Sequence, residues 1–162
     1  MELKKFQIVK IDNALMDYEC QRLIDLYNTE HTDFIQKFYG FDIEYINCRV
    51  EDIVHELTNL DIIHQEPIYI TKTNKNEPIR SDAWETNNPL TEQYGNRIFT
   101  FICFLTDGEI FFPKLNLRHK ITAGNGLIWN NVINVERTLD ALNQISDETI
   151  YIKKWVREKP FK

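Results

Sequence analysis

The sequence predicts an α+β protein in which two helices precede a sandwich or barrel of short strands. Two observations support this fold class. Apolar residues recur at helical spacing in two segments that lie before Pro67. From Pro67 onward the chain changes to short segments rich in Ile, Phe and Tyr, with glycines at some of the turns between them. Two helices followed by a run of strands are typical of an α+β domain built on packed sheets.

The first part of the chain contains one predicted strand and two predicted helices. The segment FQIVKIDNAL alternates apolar and polar residues, as a half-buried strand does. Asp17 is the predicted N-cap of the next segment, MDYECQRLIDLYN, whose apolar residues have helical spacing: Leu23, Ile24 and Tyr27. The segment VEDIVHELTNLDII is the second predicted helix, with these apolar residues on one face: Ile53, Leu57 and Leu60.

The second part of the chain contains the predicted strands. The long apolar segment RIFTFICFLTD is typical of a central strand, because both faces of such a strand are covered. The other predicted strands are IYITKT, EIFFPKL, LRHKITAGNG, GLIWNNV and TIYIKKWVRE. A chain of 162 residues suits one domain, so we expect residues 1–162 to form a single unit.

Charge and cysteine content bound the partners and the compartment. The net charge of −6 argues against a broad nucleic-acid or anionic-membrane surface, and no apolar run reaches the ~18 residues of a membrane helix. The three cysteines form no CxxC pair, which argues against a cysteine-based zinc site. An odd cysteine count without a recognisable signal peptide predicts the cytoplasm, or the host cytoplasm if the source is a virus.

Six segments along nearly the whole chain carry a resemblance to a known family. They are IDNALMDYECQRLI, YGNRIFTFICFLTD, GEIFFPKL, ITAGNGLIWNN, ERTLDALNQI and ETIYIKKWVRE. In this order they resemble the prolyl 4-hydroxylase-like 2-oxoglutarate and Fe(II) dioxygenases. The resemblance implies a double-stranded β-helix, the cupin-like jelly roll, with the N-terminal helices packed on one sheet.

The resemblance also implies where a metal and cosubstrate site should lie. The family holds Fe(II) with a His-x-Asp motif and a second histidine near the last strands, and a basic residue on the last strand binds 2-oxoglutarate. Alignment places Arg80 at the first histidine and Asp82 at the acid, within the segment PIRSDAW. It places Asp140 at the second histidine, Thr149 at the basic residue, and Thr73 near a tyrosine that often helps to bind the cosubstrate.

These replacements predict that the metal site is lost. Arginine carries no free lone pair and cannot ligate iron, and two aspartates beside a cation make a poor ferrous site. We therefore predict no bound metal or cofactor, and a hydrogen-bonded cluster of Arg80, Asp82 and Asp140 in the place of the iron. The alternative interpretation is that Arg80 is an exposed loop residue.

Two further sets of residues have a functional and a structural interpretation. His64, Glu66 and His119 could form a displaced metal triad, but the segment order favours two ordinary surface histidines. The tryptophans are interpreted as core residues rather than a binding platform: Trp84, Trp129 and Trp155.

The sequence thus predicts a non-catalytic binding or regulatory module on an oxidoreductase fold. Its partner would be a protein or small-molecule ligand at the barrel mouth, with no nucleic acid and no membrane. The first alternative is an active 2-oxoglutarate and Fe(II)-dependent hydroxylase with an atypical metal site. The second alternative is a structural or assembly protein, since jelly rolls are common in that role, and the sequence allows an oligomer.

Overall fold

The computed structural model describes residues 8–30, 41–79, 81–83, 89–131 and 142–161. These residues form three α-helices: α1 (Asp17–Glu30), α2 (Phe41–Thr58) and α3 (Pro89–Tyr94). They also form eight strands: β1 (Val9–Ile11), β2 (Tyr69–Lys72), β3 (Arg97–Phe104), β4 (Gly108–Phe112), β5 (Leu117–Ile121), β6 (Gly126–Asn130), β7 (Gln144–Ile145) and β8 (Ile150–Arg157). Short 3-10 turns lie at Ile62–His64 and Pro113–Leu115.

The strands form two antiparallel sheets that face each other. The larger sheet has the order β1-β6-β3-β8-β2, and the smaller sheet has the order β5-β4-β7. Between the sheets lies an apolar core with residues from both of them, among them Ile102, Phe104, Phe112, Trp129 and Tyr151. The arrangement confirms the predicted jelly roll.

The two long helices cover the outer face of the larger sheet. Leu23 of α1 and Val54 of α2 are fully buried in a second apolar core, together with Phe101 and Ile152 of the sheet. The predicted face of the second helix packs against this core: Ile53, Leu57 and Leu60. Helix α2 begins at Phe41, well before the start that the sequence predicted. None of the described helices is long and apolar enough to cross a lipid bilayer.

Strand β3 is central, as predicted. It lies between β6 and β8, and it forms five residue pairs with β6 and seven with β8. Phe101 and Cys103 face the helices, whereas Ile102 and Phe104 face the smaller sheet. Because both faces are covered, nearly every position of the strand is apolar.

The start of α1 differs from the prediction. The carbonyl of Met16 accepts the first helical hydrogen bond, from the amide of Cys20 at 3.0 Å, so Met16 is the N-cap and Asp17 is the first helical residue. The Met16 amide donates to Oε2 of Glu19 at 2.7 Å, which is one half of a capping box. The prediction of Asp17 as the N-cap was therefore wrong. Met16 is the N-cap, and its backbone amide is satisfied by the carboxylate of Glu19.

Candidate functional site

Asp82 is a buried carboxylate that lies between the two sheets. Its side chain is 5% exposed. Oδ2 accepts a hydrogen bond from Oγ1 of Thr100 at 3.0 Å, and Nδ2 of Asn143 lies 3.5 Å from the same oxygen. Oδ1 accepts from Nζ of Lys153 at 3.2 Å, and that lysine side chain is 8% exposed. Three separate elements therefore bring donors to one carboxylate.

The alternation of side chains along β8 explains how Lys153 reaches this position. Successive residues of a strand point to opposite faces. Tyr151 belongs to the core between the sheets, so Lys153 and Trp155 lie on the same inner face. Ile152 belongs to the core under the helices, and Lys154 faces the same way, where its Nζ is 3.7 Å from Glu51 of α2.

The hydrogen-bonded network extends from Thr100 to the end of β6. Nδ2 of Asn131 donates to Oγ1 of Thr100 at 2.7 Å and to the carbonyl of Arg97 at 3.2 Å. Asn131 and Thr100 are both fully buried. Buried polar groups need such partners, because each one left without a hydrogen bond costs about 1–3 kcal/mol. The interior of the jelly roll thus contains a hydrogen-bonded polar network beside its apolar core.

The structure describes three of the five residues that the sequence singled out. Arg80 and Asp140 lie outside the described residues, as does Trp84, so the predicted cluster of Arg80 with two aspartates stays a prediction. Asp82 lies in the buried network just described. Thr73 and Thr149 lie elsewhere, at the junction between the end of β2 and the start of β8.

Thr73 and Thr149 bind each other and a neighbouring serine. The Thr149 amide donates to Oγ1 of Thr73 at 3.1 Å, and the Thr73 amide donates to the carbonyl of Thr149 at 3.0 Å. The hydroxyl groups of Thr149 and Ser146 are 2.9 Å apart, and Thr73 also donates to the carbonyl of Ser146. These bonds fasten a loop. Among the described residues, the structure brings Lys153, and not Thr149, to Asp82.

Sequence reasoning missed four members of the network: Thr100, Asn131, Asn143 and Lys153. The alternation in TIYIKKWVRE carried a usable signal for one of them, because it places Lys153 on the same face as two aromatic residues. No local pattern marks Thr100 or the two asparagines, since only the pairing of the strands brings them to Asp82.

The described residues do not fit a ferrous centre. They contain no group of three or more His, Cys, Asp or Glu side chains that could hold a metal ion. Around Asp82, the hydroxyl of Thr100, the amide of Asn143 and the ammonium of Lys153 all donate hydrogen bonds. An Fe(II) site needs lone pairs from imidazole and carboxylate ligands, and an ammonium supplies none.

The displaced triad of His64, Glu66 and His119 does not form. Nδ1 of His64 lies 3.0 Å from the carbonyl of Arg157, near the end of β8. His119 of β5 packs edge-on against Phe112, with 6.4 Å between ring centroids. The carboxylate of Glu66 forms ion pairs with arginines instead. Of the two tryptophans that the structure describes, Trp129 packs in the core between the sheets as predicted, whereas Trp155 is half-buried and packs against the ring of Tyr69.

A second buried charged cluster lies beyond Trp155, and we call Glu66, Arg97 and Arg157 the arginine cluster. Oε1 of Glu66 is 2.7 Å from Nε of Arg97 and 2.8 Å from Nε of Arg157. The pKa of Arg157 is lowered overall. Burial and the guanidinium of Arg97 lower this pKa more than the carboxylate of Glu66 raises it. Burial also raises the pKa of the adjacent Tyr69, as does Glu66.

Comparison with known proteins identifies the fold. No protein-family model and no curated protein sequence matches the chain. A truncated form of the viral collagen prolyl hydroxylase of Paramecium Bursaria Chlorella virus-1 is similar in structure, with a TM-score of 0.70 and 20% sequence identity over 93% of this chain and 89% of that chain. A prolyl-4-hydroxylase of Pseudomonas putida has a TM-score of 0.59 and 7% identity, over 96% of this chain and 94% of that chain.

A third similar structure is HygX of Streptomyces hygroscopicus with iron bound, at a TM-score of 0.55 and 10% identity. The match covers 96% of this chain and 83% of that chain. All three matches span nearly the whole chain. The chain therefore has the double-stranded β-helix fold of the prolyl 4-hydroxylase-like 2-oxoglutarate and Fe(II) oxygenases.

Proposed function

We propose that this protein is a non-catalytic binding or regulatory module on the dioxygenase fold, and that it binds neither Fe(II) nor 2-oxoglutarate. The observation that carries the proposal is the set of groups around Asp82. This carboxylate receives Thr100, Asn143 and Lys153, each of which donates a hydrogen bond to it. The carboxylate that the resemblance assigns to the metal is thus already bonded to an ammonium.

Electrostatics support the absence of a metal. A divalent cation at Asp82 would lie close to the ammonium of Lys153, which is 3.2 Å from the carboxylate. Two positive charges at such a distance repel strongly in a buried site, where the effective dielectric constant is low. The residue aligned with the first histidine is Arg80, a side chain that cannot ligate a metal.

The same contact bears on 2-oxoglutarate. Lys153 is a basic residue on the inner face of β8, where it could bind an anionic ligand. Its ammonium is bonded to Asp82, and an incoming carboxylate would be repelled by that aspartate. We therefore expect no binding of 2-oxoglutarate with useful affinity, although β8 does carry a lysine at this face.

The ligand of such a module is proposed to be a protein or a small molecule at the open end of the jelly roll, in the cytoplasm. The polar network of Asp82 lies beside the apolar core between the sheets. A partner that replaces the lost cosubstrate would contact this network.

Metal and cosubstrate binding test the proposal directly. The protein is reconstituted anaerobically with Fe(II), desalted, and its iron content is measured by mass spectrometry. Isothermal titration calorimetry with 2-oxoglutarate is then run in the presence of Mn(II). The viral collagen prolyl hydroxylase serves as the positive control. We expect no stoichiometric iron in the desalted protein and no heat of binding in the titration with 2-oxoglutarate.

Stoichiometric iron together with micromolar 2-oxoglutarate binding would overturn the proposal. Uncoupled turnover of 2-oxoglutarate in the same preparation would favour the alternative of an active hydroxylase with an atypical metal site. Size-exclusion chromatography with light scattering addresses the structural alternative, which requires a stable oligomer.

A further inference from the structure

We propose that Lys153 is a built-in cation that takes the structural place of a metal ion, so that the ion pair with Asp82 joins the two sheets of the jelly roll. The inference rests on the proposed absence of Fe(II) binding. It goes further, because it assigns a stabilising role to Lys153. It also predicts that a metal ion stabilises the protein once the ammonium is removed.

The burial of both partners is the first argument. The side chains of Asp82 and Lys153 are 5% and 8% exposed, and their charged atoms are 3.2 Å apart. A buried charge without a partner is strongly destabilising, whereas a paired and hydrogen-bonded one is tolerated. Each residue therefore needs the other to stay in the interior.

The surroundings of the ammonium are the second argument. Nζ of Lys153 lies 5.7 Å from the ring centroid of Tyr151 and 5.6 Å from that of Trp155. Aromatic rings at such distances attract a cation through their quadrupole. Tyr151 and Trp155 precede and follow Lys153 by two residues on the same face of β8, so the strand itself builds a site for a positive charge.

The elements that meet at Asp82 are the third argument. Lys153 and Thr100 belong to the larger sheet, whereas Asn143 directly precedes β7 of the smaller sheet. Asp82 itself lies in the stretch 81–83, between β2 and α3. One carboxylate thus connects both sheets and the segment that follows β2. A metal with ligands from several elements provides this kind of cross-link, and here the charge comes from a side chain.

A double-mutant cycle measures the cross-link. The variants are Lys153→Met, which keeps the length of the side chain, Asp82→Asn, and the double variant. Thermal unfolding is followed by circular dichroism. We expect Lys153→Met to lower Tm by about 10 °C, as removal of one partner of a buried pair does. The double variant should regain at least half of that loss, because no orphaned charge remains.

A titration with MnCl2 tests the exchange of cations. The Tm of the wild-type protein should not respond to millimolar MnCl2, and the Tm of Lys153→Met should rise, since the ammonium that pairs with Asp82 is then gone. The Lys153→Met, Asp82→Asn double variant should not respond. Lys72→Met is the matched control, because Lys72 also pairs with a carboxylate, that of Glu148, but at the surface. The Tm of Lys72→Met should stay unchanged on addition of MnCl2.

Two results would overturn the inference. The first is a Tm of Lys153→Met equal to that of the wild type. The second is a double variant whose loss equals the sum of the single losses, which would show that the residues act independently. If Lys153→Met does not fold, recovery of a folded protein by adding Asp82→Asn becomes the measurement, and no recovery would contradict the inference.

The outcomes separate this inference from the proposed function. A wild-type protein that binds Fe(II) and 2-oxoglutarate contradicts the proposed function whatever the cycle shows. A wild-type protein that binds neither, but whose Asp82 and Lys153 variants are additive, leaves the proposed function intact and contradicts the built-in cation.

Discussion

Arg97 donates two parallel hydrogen bonds to the carboxylate of Glu66, from Nε at 2.7 Å and from Nη2 at 2.8 Å. The guanidinium of Arg97 also lies over the ring of Trp155, 3.7 Å from its centroid. Arg157 reaches the same carboxylate from the end of β8, and its Nη1 donates to the carbonyl of Gly95 at 2.8 Å. The arginine cluster therefore fastens the start of β3, the end of β8 and the segment before β2 to one another.

Glu66→Gln should destabilise the protein strongly. The Glu66 side chain is 2% exposed, and its loss of charge leaves two guanidinium groups without their shared counter-ion. We expect a loss of about 3–5 kcal/mol in the free energy of unfolding, measured by urea denaturation. Glu56→Gln is the control, because Glu56 is an exposed glutamate on α2. Equal midpoints for Glu66→Gln and the wild type would contradict a structural role for the cluster.

Arg97→Lys should not behave as a conservative change. Lysine keeps the charge but loses the planar fork and the stacking on Trp155. Because hydrogen bonds to charged groups contribute about 1.5–3 kcal/mol, we expect a loss of that order in the free energy of unfolding, followed by tryptophan fluorescence.

The matched control for Arg97→Lys is Arg118→Lys. Arg118 also pairs with a glutamate, Glu109 at 2.9 Å, and also lies over an aromatic ring, that of Phe111 at 3.8 Å. Its side chain is 58% exposed, so solvent screens the pair and we expect a change within about 1 kcal/mol. Similar losses in both variants would show that burial does not set the strength of these pairs.

His119 should make the fold sensitive to mild acid. Burial lowers the pKa of His119 below its ordinary value of 6.5, and the nearby Lys10 adds to this effect. The unfolded chain therefore binds a proton more readily than the folded protein. The stability that neutral His119 contributes is complete above about pH 6.5 and is lost as the pH falls below that value.

Substitution of His119 tests this dependence. Tm is measured from neutral pH into the acid range for the wild type and for His119→Gln, which cannot be protonated. We expect the Tm of the wild type to fall more steeply in mild acid than that of the variant. His55→Gln is the control, because His55 is exposed on α2. Parallel curves for His119→Gln and the wild type would contradict the prediction.

The three cysteines should differ sharply in reactivity. Cys48 is exposed, whereas Cys20 and Cys103 are 3% and 0% exposed. Burial raises the pKa of Cys20 to about 11 and raises that of Cys103 well above its ordinary value, so neither forms the reactive thiolate at neutral pH. With a chromogenic disulfide reagent we expect one fast thiol in the folded protein and three in urea. Cys48→Ser should abolish the fast phase, and a remaining fast thiol would contradict this assignment.

The sequence predicts the strands better than the site, and β8 shows why. Its alternation of residue types is local, so the strand and its two faces can be read from TIYIKKWVRE. The partner of Lys153 cannot be read from this segment, because that partner, Asp82, is 71 positions away in the sequence. Alignment to a histidine and lysine pattern pointed to Thr149, which instead binds Thr73 and Ser146 in a loop.

The sequence did not predict α3, β7 or the true start of α2, and each omission has its own physical reason. Helix α3 has six residues, too few to show helical periodicity, and β7 has two. The earlier start of α2 was detectable, because Ile43, Ile46 and Val50 are buried and continue the helical spacing of its later turns. A buried glutamate and arginine are harder to anticipate, since the same residue types usually mark a solvated surface.

The position of β8 has a consequence for synthesis of the protein. β8 pairs with both β2 and β3, so it is the strand that joins the edge of the larger sheet to its centre. While a ribosome is still making the chain, β2 has no neighbour among the described strands, and β3 has one open side, until Ile150–Arg157 emerges. Open strand edges invite pairing with other chains. Pairing with Ile150–Arg157 therefore closes one edge of each of these two strands against association with another chain.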